Sequence, residues 1–134
     1  MSVQPVATPG QPWNAGPYSN AVRAGDWIVI SGQVGVDPAS GNVVSGGVEA
    51  QARQALANVA AILGDCDATW ADVAKVTLFV GVDSPQWMKE VNAVYEESVG
   101  TARPARSTIG VAWLPLGTVF EVEALVYKPL NGPR

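Results

Sequence analysis

The chain contains no histidine and only one cysteine. These absences exclude Ser-His-Asp and Cys-His machinery, zinc-finger ligation and any internal disulfide. Charge is scarce too. Asp, Glu, Lys and Arg make up 15% of the residues, against roughly 25% in an ordinary soluble domain. Apolar residues reach 48%, yet no run approaches the roughly 18 uninterrupted apolar residues of a membrane span, so no membrane partner is expected. A soluble chain so poor in charge is expected to hide surface against other copies of itself. The 8 basic residues are outnumbered by 12 acidic ones, for a net charge of −4. Phosphate backbones require a basic face, so no nucleic-acid partner is expected. "SGQVGVDPASG" lacks the lysine and the spacing of a phosphate loop. The start, "MSVQPVATPGQP", shows neither a basic run nor an apolar core, so no secretory leader is expected and the expected location is the cytoplasm.

The residues left to do chemistry are Arg, Glu, Asp, Ser, Tyr, Asn and the backbone. Without histidine, a metal site would need carboxylates alone. Asp65 and Asp67 in "DCD" read as turn chemistry, so no metal is expected, and Cys66 between them is expected to be inert.

At 134 residues the chain is one domain, 1–134, large enough for a single core. No linker, low-complexity run or repeat divides it. "AVRAGDWIVISG" reads as a hairpin turning at Gly25-Asp26, with a strand over 27–31. From about Val48 to Leu63, the apolar residues Ala52, Leu56, Val59, Ala60 and Leu63 follow helical spacing, with Gly64 as the stop. "KVTLFVGV" is a strand. In "DSPQWMKEVNAVYEESVG" Ser84 is the expected N-cap, Pro85 the first helical residue and Gly100 the terminator. "ARSTIGVAW" and "TVFEVEALVY" are strands connected through "LPLG". The order, roughly βββαβαββ, predicts an α+β mixed sheet with two helices packed on one face.

Alternation assigns faces. Phe120, Val122, Ala124 and Val126 should meet the helices, as should Val76, Leu78, Val80 and Val82, together with Ile28 and Ile30. The opposite face then carries Trp27, Val29, Ser31, Thr77, Phe79, Glu121, Glu123, Leu125 and Tyr127. An open, solvated face should be polar. This mixture suits an interface containing a site. Because Ile109 and Val111 are bulky and apolar, alternation turns them to the helices and puts Arg106 of "RPARST" on the face that carries Glu121 and Glu123. An arginine there needs an anion, either a protein carboxylate or a ligand carboxylate held by the guanidinium fork. Parity leaves both open.

The segments "GPYSNAV", "SGQVGVDPASG", "QARQALANVAAIL", "VNAVY", "RPARST" and "LPLGTVFEVEA" resemble, in order and spacing, the Rid (YjgF-type) reactive-intermediate deaminases, over about residues 16–127. The resemblance implies a chorismate-mutase-like fold assembled as a homotrimeric barrel, with sites at the subunit interfaces. It implies an enzyme without cofactor that hydrolyses enamines and imines such as 2-iminobutanoate and 2-iminopropanoate to 2-keto acids and ammonia. The partner is then a small imino or keto acid bearing a carboxylate.

Carried over by position, Arg106 matches the arginine that grips the substrate carboxylate, and Glu121 the glutamate that orients the attacking water. Tyr18, Ser31, Gly32 and Asn92 match residues that line the pocket, and Ser107 falls where many members have cysteine. That departure, with the bulk of Trp87 and Trp113, bears on substrate preference. The chemistry tolerates the missing histidine. An iminium carbon is already electrophilic, so water attack needs positioning and charge stabilisation more than a strong base. Glu121 can serve if burial raises its pKa. Two alternatives stand beside this reading: a pathway-specific relative performing another hydrolysis, dehydration or cyclisation in the same pocket, and a non-catalytic small-molecule binder.

Overall fold

The computed structural model describes residues 2–81 and 85–130. Strands β1 (Gln4–Pro5), β2 (Ala21–Ala24) and β3 (Trp27–Val34) are followed by helix α1 (Gly47–Asp65) and strand β4 (Val73–Gly81). Helix α2 (Met88–Val99), strand β5 (Ala105–Val111) and strand β6 (Phe120–Tyr127) follow among the described residues. The six strands form one mixed sheet in the order β1-β2-β3-β6-β4-β5. The α+β architecture expected from the sequence is present, with both helices on one face.

The helix-facing alternation accounts for the core. Ile28, Ile30, Val76, Leu78, Phe120, Val122 and Val126 are almost wholly inaccessible to solvent, as are Leu56, Val59, Ile62 and Leu63 of α1 and Val91 of α2. Val82, assigned to the same face by alternation, and Ser84, the expected N-cap, lie outside the described residues. A 3-10 turn, Pro85–Trp87, leads into α2, and Gly100 ends it at φ 62. Gly64 is not the stop of α1. The helix runs one residue further, and Asp67 takes the left-handed conformation, at φ 56.

Two departures from the alternation reading position the site. In β3 the pairing with β6 shifts between Ile30 and Gln33. A bulge bends a strand and re-aims its side chains. Here it leaves Ser31 and Gly32 half-exposed and turns Gln33 inward. Gln11, Asn20 and Gln33 are buried together. Asn20 Nδ2 donates to the carbonyls of Gln11 (2.8 Å) and Trp13 (3.0 Å), Gln11 Nε2 donates to Gln33 Oε1 (3.4 Å), and Gln33 Nε2 donates to the Ser31 carbonyl (3.2 Å). These bonds satisfy buried polar groups and fasten the segment before β2 along the sheet.

The second departure concerns Arg106. Strand β5 pairs in parallel with β4, with Arg106 beside Val76, Thr108 beside Leu78 and Ile109 beside Phe79. Paired residues on adjacent strands share a face, so Arg106 lies on the helix side and Ile109 on the open side. This reverses the sequence reading, which gave Ile109 and Val111 to the helices and Arg106 to the face of Glu121. That reading assumed that bulk marks the inward face. On edge strand β5 the bulky residues join an open face that is itself largely apolar.

Candidate active site

Two clusters of candidate side chains form on opposite sides of the sheet. The first occupies the open face. Glu121 and Glu123 project from β6 beside a cavity of about 690 Å³, bordered by the Ser31-Gly32 bulge, Tyr18, Lys75 and Thr77. Glu121 is half-buried, and among the described residues its carboxylate receives no hydrogen bond and makes no ion pair. Burial holds its pKa above the ordinary carboxylate value, and the neighbouring Glu123 charge raises it further. This is the environment that makes a carboxylate useful for proton transfer near neutral pH.

Gly32 makes the carboxylate's position possible. A Cβ built there would overlap the Glu121 carboxylate, so the bulge brings bare backbone against the acid. The obstructing atoms are the far end of a flexible side chain, and Glu121 can swing aside. Gly32→Ala should therefore fold with nearly unchanged thermal stability while the acid is displaced. A misplacement of this kind can cost about 10²-fold in turnover. Thermal melts and initial rates on the same preparation check the two halves of this expectation.

Tyr18 and Ser31 are set by local bonds. The Ala15 N–H donates to Tyr18 Oη (3.2 Å) and Asn14 Nδ2 to the Tyr18 carbonyl (3.0 Å), so the 14–18 loop presents the ring at the cavity rim. Ser31 Oγ donates to the Ser19 carbonyl at 2.6 Å, leaving the hydroxyl oxygen free to accept. Ser107 is also on this open face, and accepts from Lys75 Nζ at 2.9 Å.

The second cluster lies between α2 and β5. Arg106, Asn92 and Tyr95 line a smaller cavity of about 360 Å³, together with Glu96 and Arg103. The Arg106 guanidinium carbon sits 4.9 Å from the centre of the Tyr95 ring. Among the described residues Arg106 makes no ion pair or hydrogen bond, so no protein carboxylate occupies its fork.

One chain therefore brings Tyr18, Ser31, Gly32 and Glu121 together, and separately Asn92 and Arg106. It does not bring Arg106 to Glu121. Tyr95 and Lys75 were missed from the sequence. Tyr95 falls three positions after Asn92 on one helix, and that spacing places them as neighbours. Lys75 shares the alternation of Thr77 and Phe79. Of the other basic residues, Arg53 pairs with Glu97 at 2.6 Å on the surface. Arg23 is not a free surface charge, since it donates to the Gly25 and Lys128 carbonyls. Burial pushes the Cys66 thiol up in pKa, which keeps it protonated. Among the described residues, no group of three or more acidic or cysteine side chains could hold a metal, and no helix is long and apolar enough to cross a membrane.

Residues 8–128 match the family model described as Endoribonuclease L-PSP. The chain belongs to this family, which includes the YjgF, RutC and Rid proteins. A RutC family protein of Pyrococcus horikoshii is 39% identical over 123 residues, covering 92% of this chain and 96% of its own. The human 2-iminobutanoate/2-iminopropanoate deaminase is 38% identical over 128 residues, covering 96% of this chain and 90% of that protein. Among solved structures, RidA of an Antarctic Psychrobacter superposes with a TM-score of 0.86 at 33% identity, over 92% of this chain and 98% of that one. E. coli TdcF, solved with bound serine, superposes with a TM-score of 0.86 at 30% identity, over 93% and 98%.

Proposed function

We propose that the chain is an imine and enamine deaminase working as a homotrimer, with each site shared between two chains. Arg106 and Asn92 come from one chain, and Glu121, Tyr18 and the Ser31-Gly32 bulge from its neighbour. The observation that carries the reading is Glu121: a half-buried acid with a raised pKa and no ion-pair partner among the described residues, held beside a cavity by a glycine that leaves it room. The human relative named 2-iminobutanoate/2-iminopropanoate deaminase supports the reaction. The serine bound to TdcF, a small amino acid, supports a ligand with a carboxylate.

In this site the Arg106 fork holds the substrate carboxylate and orients the C=N carbon. An enamine takes a proton from solvent on its carbon to give the N-protonated imine, the form that water attacks. Glu121 accepts a proton from water as the oxygen bonds to that carbon, forming a carbinolamine. The same carboxyl then protonates the amine. The C–N bond breaks as the hydroxyl proton passes to the Glu121 carboxylate, releasing the 2-keto acid and ammonia, which carries that proton away as ammonium and leaves Glu121 ionised again. One water is consumed and no electrons are transferred, so no cofactor is required. Freshly generated 2-iminobutanoate should give 2-ketobutyrate faster with the protein than without it, in proportion to protein added. A rate equal to that of buffer rejects the reading.

The open face supports assembly. Trp27, Val29, Ile109 and Tyr127 are each about two-fifths exposed there, and Trp27 and Tyr127 pack edge to face, their centroids 5.0 Å apart. A lone chain rarely leaves such a patch in water. Light scattering should give the mass of three chains. Phe79→Asp or Val29→Asp would bury an unpaired charge, and should shift the distribution to smaller species at micromolar concentration. A wild-type monomer in dilute solution contradicts the assembly.

A further inference from the structure

We propose that Tyr95 is a positioning residue for Arg106: its ring face holds the guanidinium by a cation–π contact, which leaves the in-plane fork of N–H donors free for a ligand carboxylate. The inference rests on the reading of Arg106 as a carboxylate grip and adds a residue which that reading did not include.

Three observations carry it. The Arg106 guanidinium carbon lies 4.9 Å from the Tyr95 ring centre, within the roughly 6 Å over which a cation is attracted by an aromatic face. Arg106 has no acid partner among the described residues, although Glu96 lines the same cavity. The Tyr95 hydroxyl is buried and has no hydrogen-bond partner among the described residues, so no hydrogen bond there accounts for its place. An arginine can be held still in two ways. A carboxylate would hold it by occupying the donors that a substrate needs. An aromatic face attracts the same charge from above the plane and competes for none of them. Burial also pushes the phenol pKa up, while the Arg106 charge pulls it back. The side chain therefore stays neutral and acts through its ring. Position 95 on α2 is suited to this, because one helical turn places Asn92 and Tyr95 on the same wall, facing β5.

The test separates ring from hydroxyl and charge grip from platform. Tyr95→Phe keeps the ring face, so KM for 2-iminobutanoate and Kd for 2-ketobutyrate should rise far less than in Tyr95→Leu, with melting temperature equal or higher. Mono-, di- and trifluorophenylalanine at position 95 keep the shape and progressively withdraw the negative ring face. They should raise KM and Kd stepwise, to a total of about 2- to 30-fold at full loss, with kcat flat and the melting temperature unmoved. Tyr95→Leu should fall at the weak-binding end of that range. A flat fluorination series, or a Leu variant that binds like Phe, overturns the role of Tyr95. Arg106→Ala, measured alongside, isolates the premise. If it leaves the Kd for 2-ketobutyrate unchanged, the carboxylate grip itself fails. If it weakens binding while the series stays flat, only the platform fails.

Discussion

Arg106→Ala is expected to lower kcat/KM for 2-imino acids by tens- to thousands-fold while the protein stays folded. Removing one partner of a desolvated, hydrogen-bonded charge pair costs about 2–5 kcal/mol, and about 1.4 kcal/mol corresponds to a factor of ten. The position in the fold makes stability loss a minor part of the effect. Arg106 sits on edge strand β5 and makes no ion pair or hydrogen bond among the described residues, so truncation strands no buried carboxylate. Arg106→Lys should recover only part of the loss, because it keeps the charge and loses the planar fork. Kinetics together with thermal melts decide between the roles. A large fall in melting temperature with kcat/KM intact would make Arg106 a structural residue instead.

Glu121→Gln gives the second large effect, and its sign on stability is opposite to its sign on activity. Proton transfer by a positioned side chain contributes about 10²–10⁴-fold, so turnover should fall by that order while 2-ketobutyrate still binds. Stability should not fall. Burial and Glu123 raise the folded-state pKa of Glu121 above its unfolded value. Its contribution to stability is then fully present below the unfolded pKa and is lost as pH rises through the folded one. The ionised carboxylate is disfavoured by burial and by the Glu123 charge, and a neutral glutamine carries neither cost. Glu121→Gln should melt at the same temperature as wild type or higher. The wild-type rate should also decline toward acid, with a midpoint above that of an ordinary glutamate, because only the ionised carboxylate can take a proton from water. Glu123→Gln should be milder in turnover, and should move that midpoint downward by removing the like charge.

Much of this arrangement is legible in the sequence, and its limits have physical reasons. The core faces of β4, β6 and the start of β3 follow from strict alternation of Val, Leu, Ile and Phe with other residues, because one side of those strands is sealed by helices. Glu121 is placed on the open face by the same rule. The β3 bulge is not legible, since inserting one residue shifts parity without leaving a mark beyond Gly32. Arg106 is misplaced by alternation because β5 is an edge strand whose open face is as apolar as its inner one, so side-chain bulk no longer reports direction. That error carries functional meaning. A sheet with Arg106 on one side and Glu121 on the other cannot close a site around a small acid by itself, and an apolar open face offers the means to recruit a second chain.

Subunit complementation tests that claim most directly. Arg106→Ala and Glu121→Gln are each expected to be nearly inactive alone. Unfolding them together and refolding at equal ratio should, on the proposed trimeric assembly, give mixed oligomers in which some interfaces pair an intact Arg106 from one chain with an intact Glu121 from another. Random assortment restores about a quarter of the wild-type sites. Keto-acid release at about that fraction, absent when the two variants are refolded separately and then combined, is the predicted result. A co-refolded mixture no more active than the separate variants would contradict a site shared between chains.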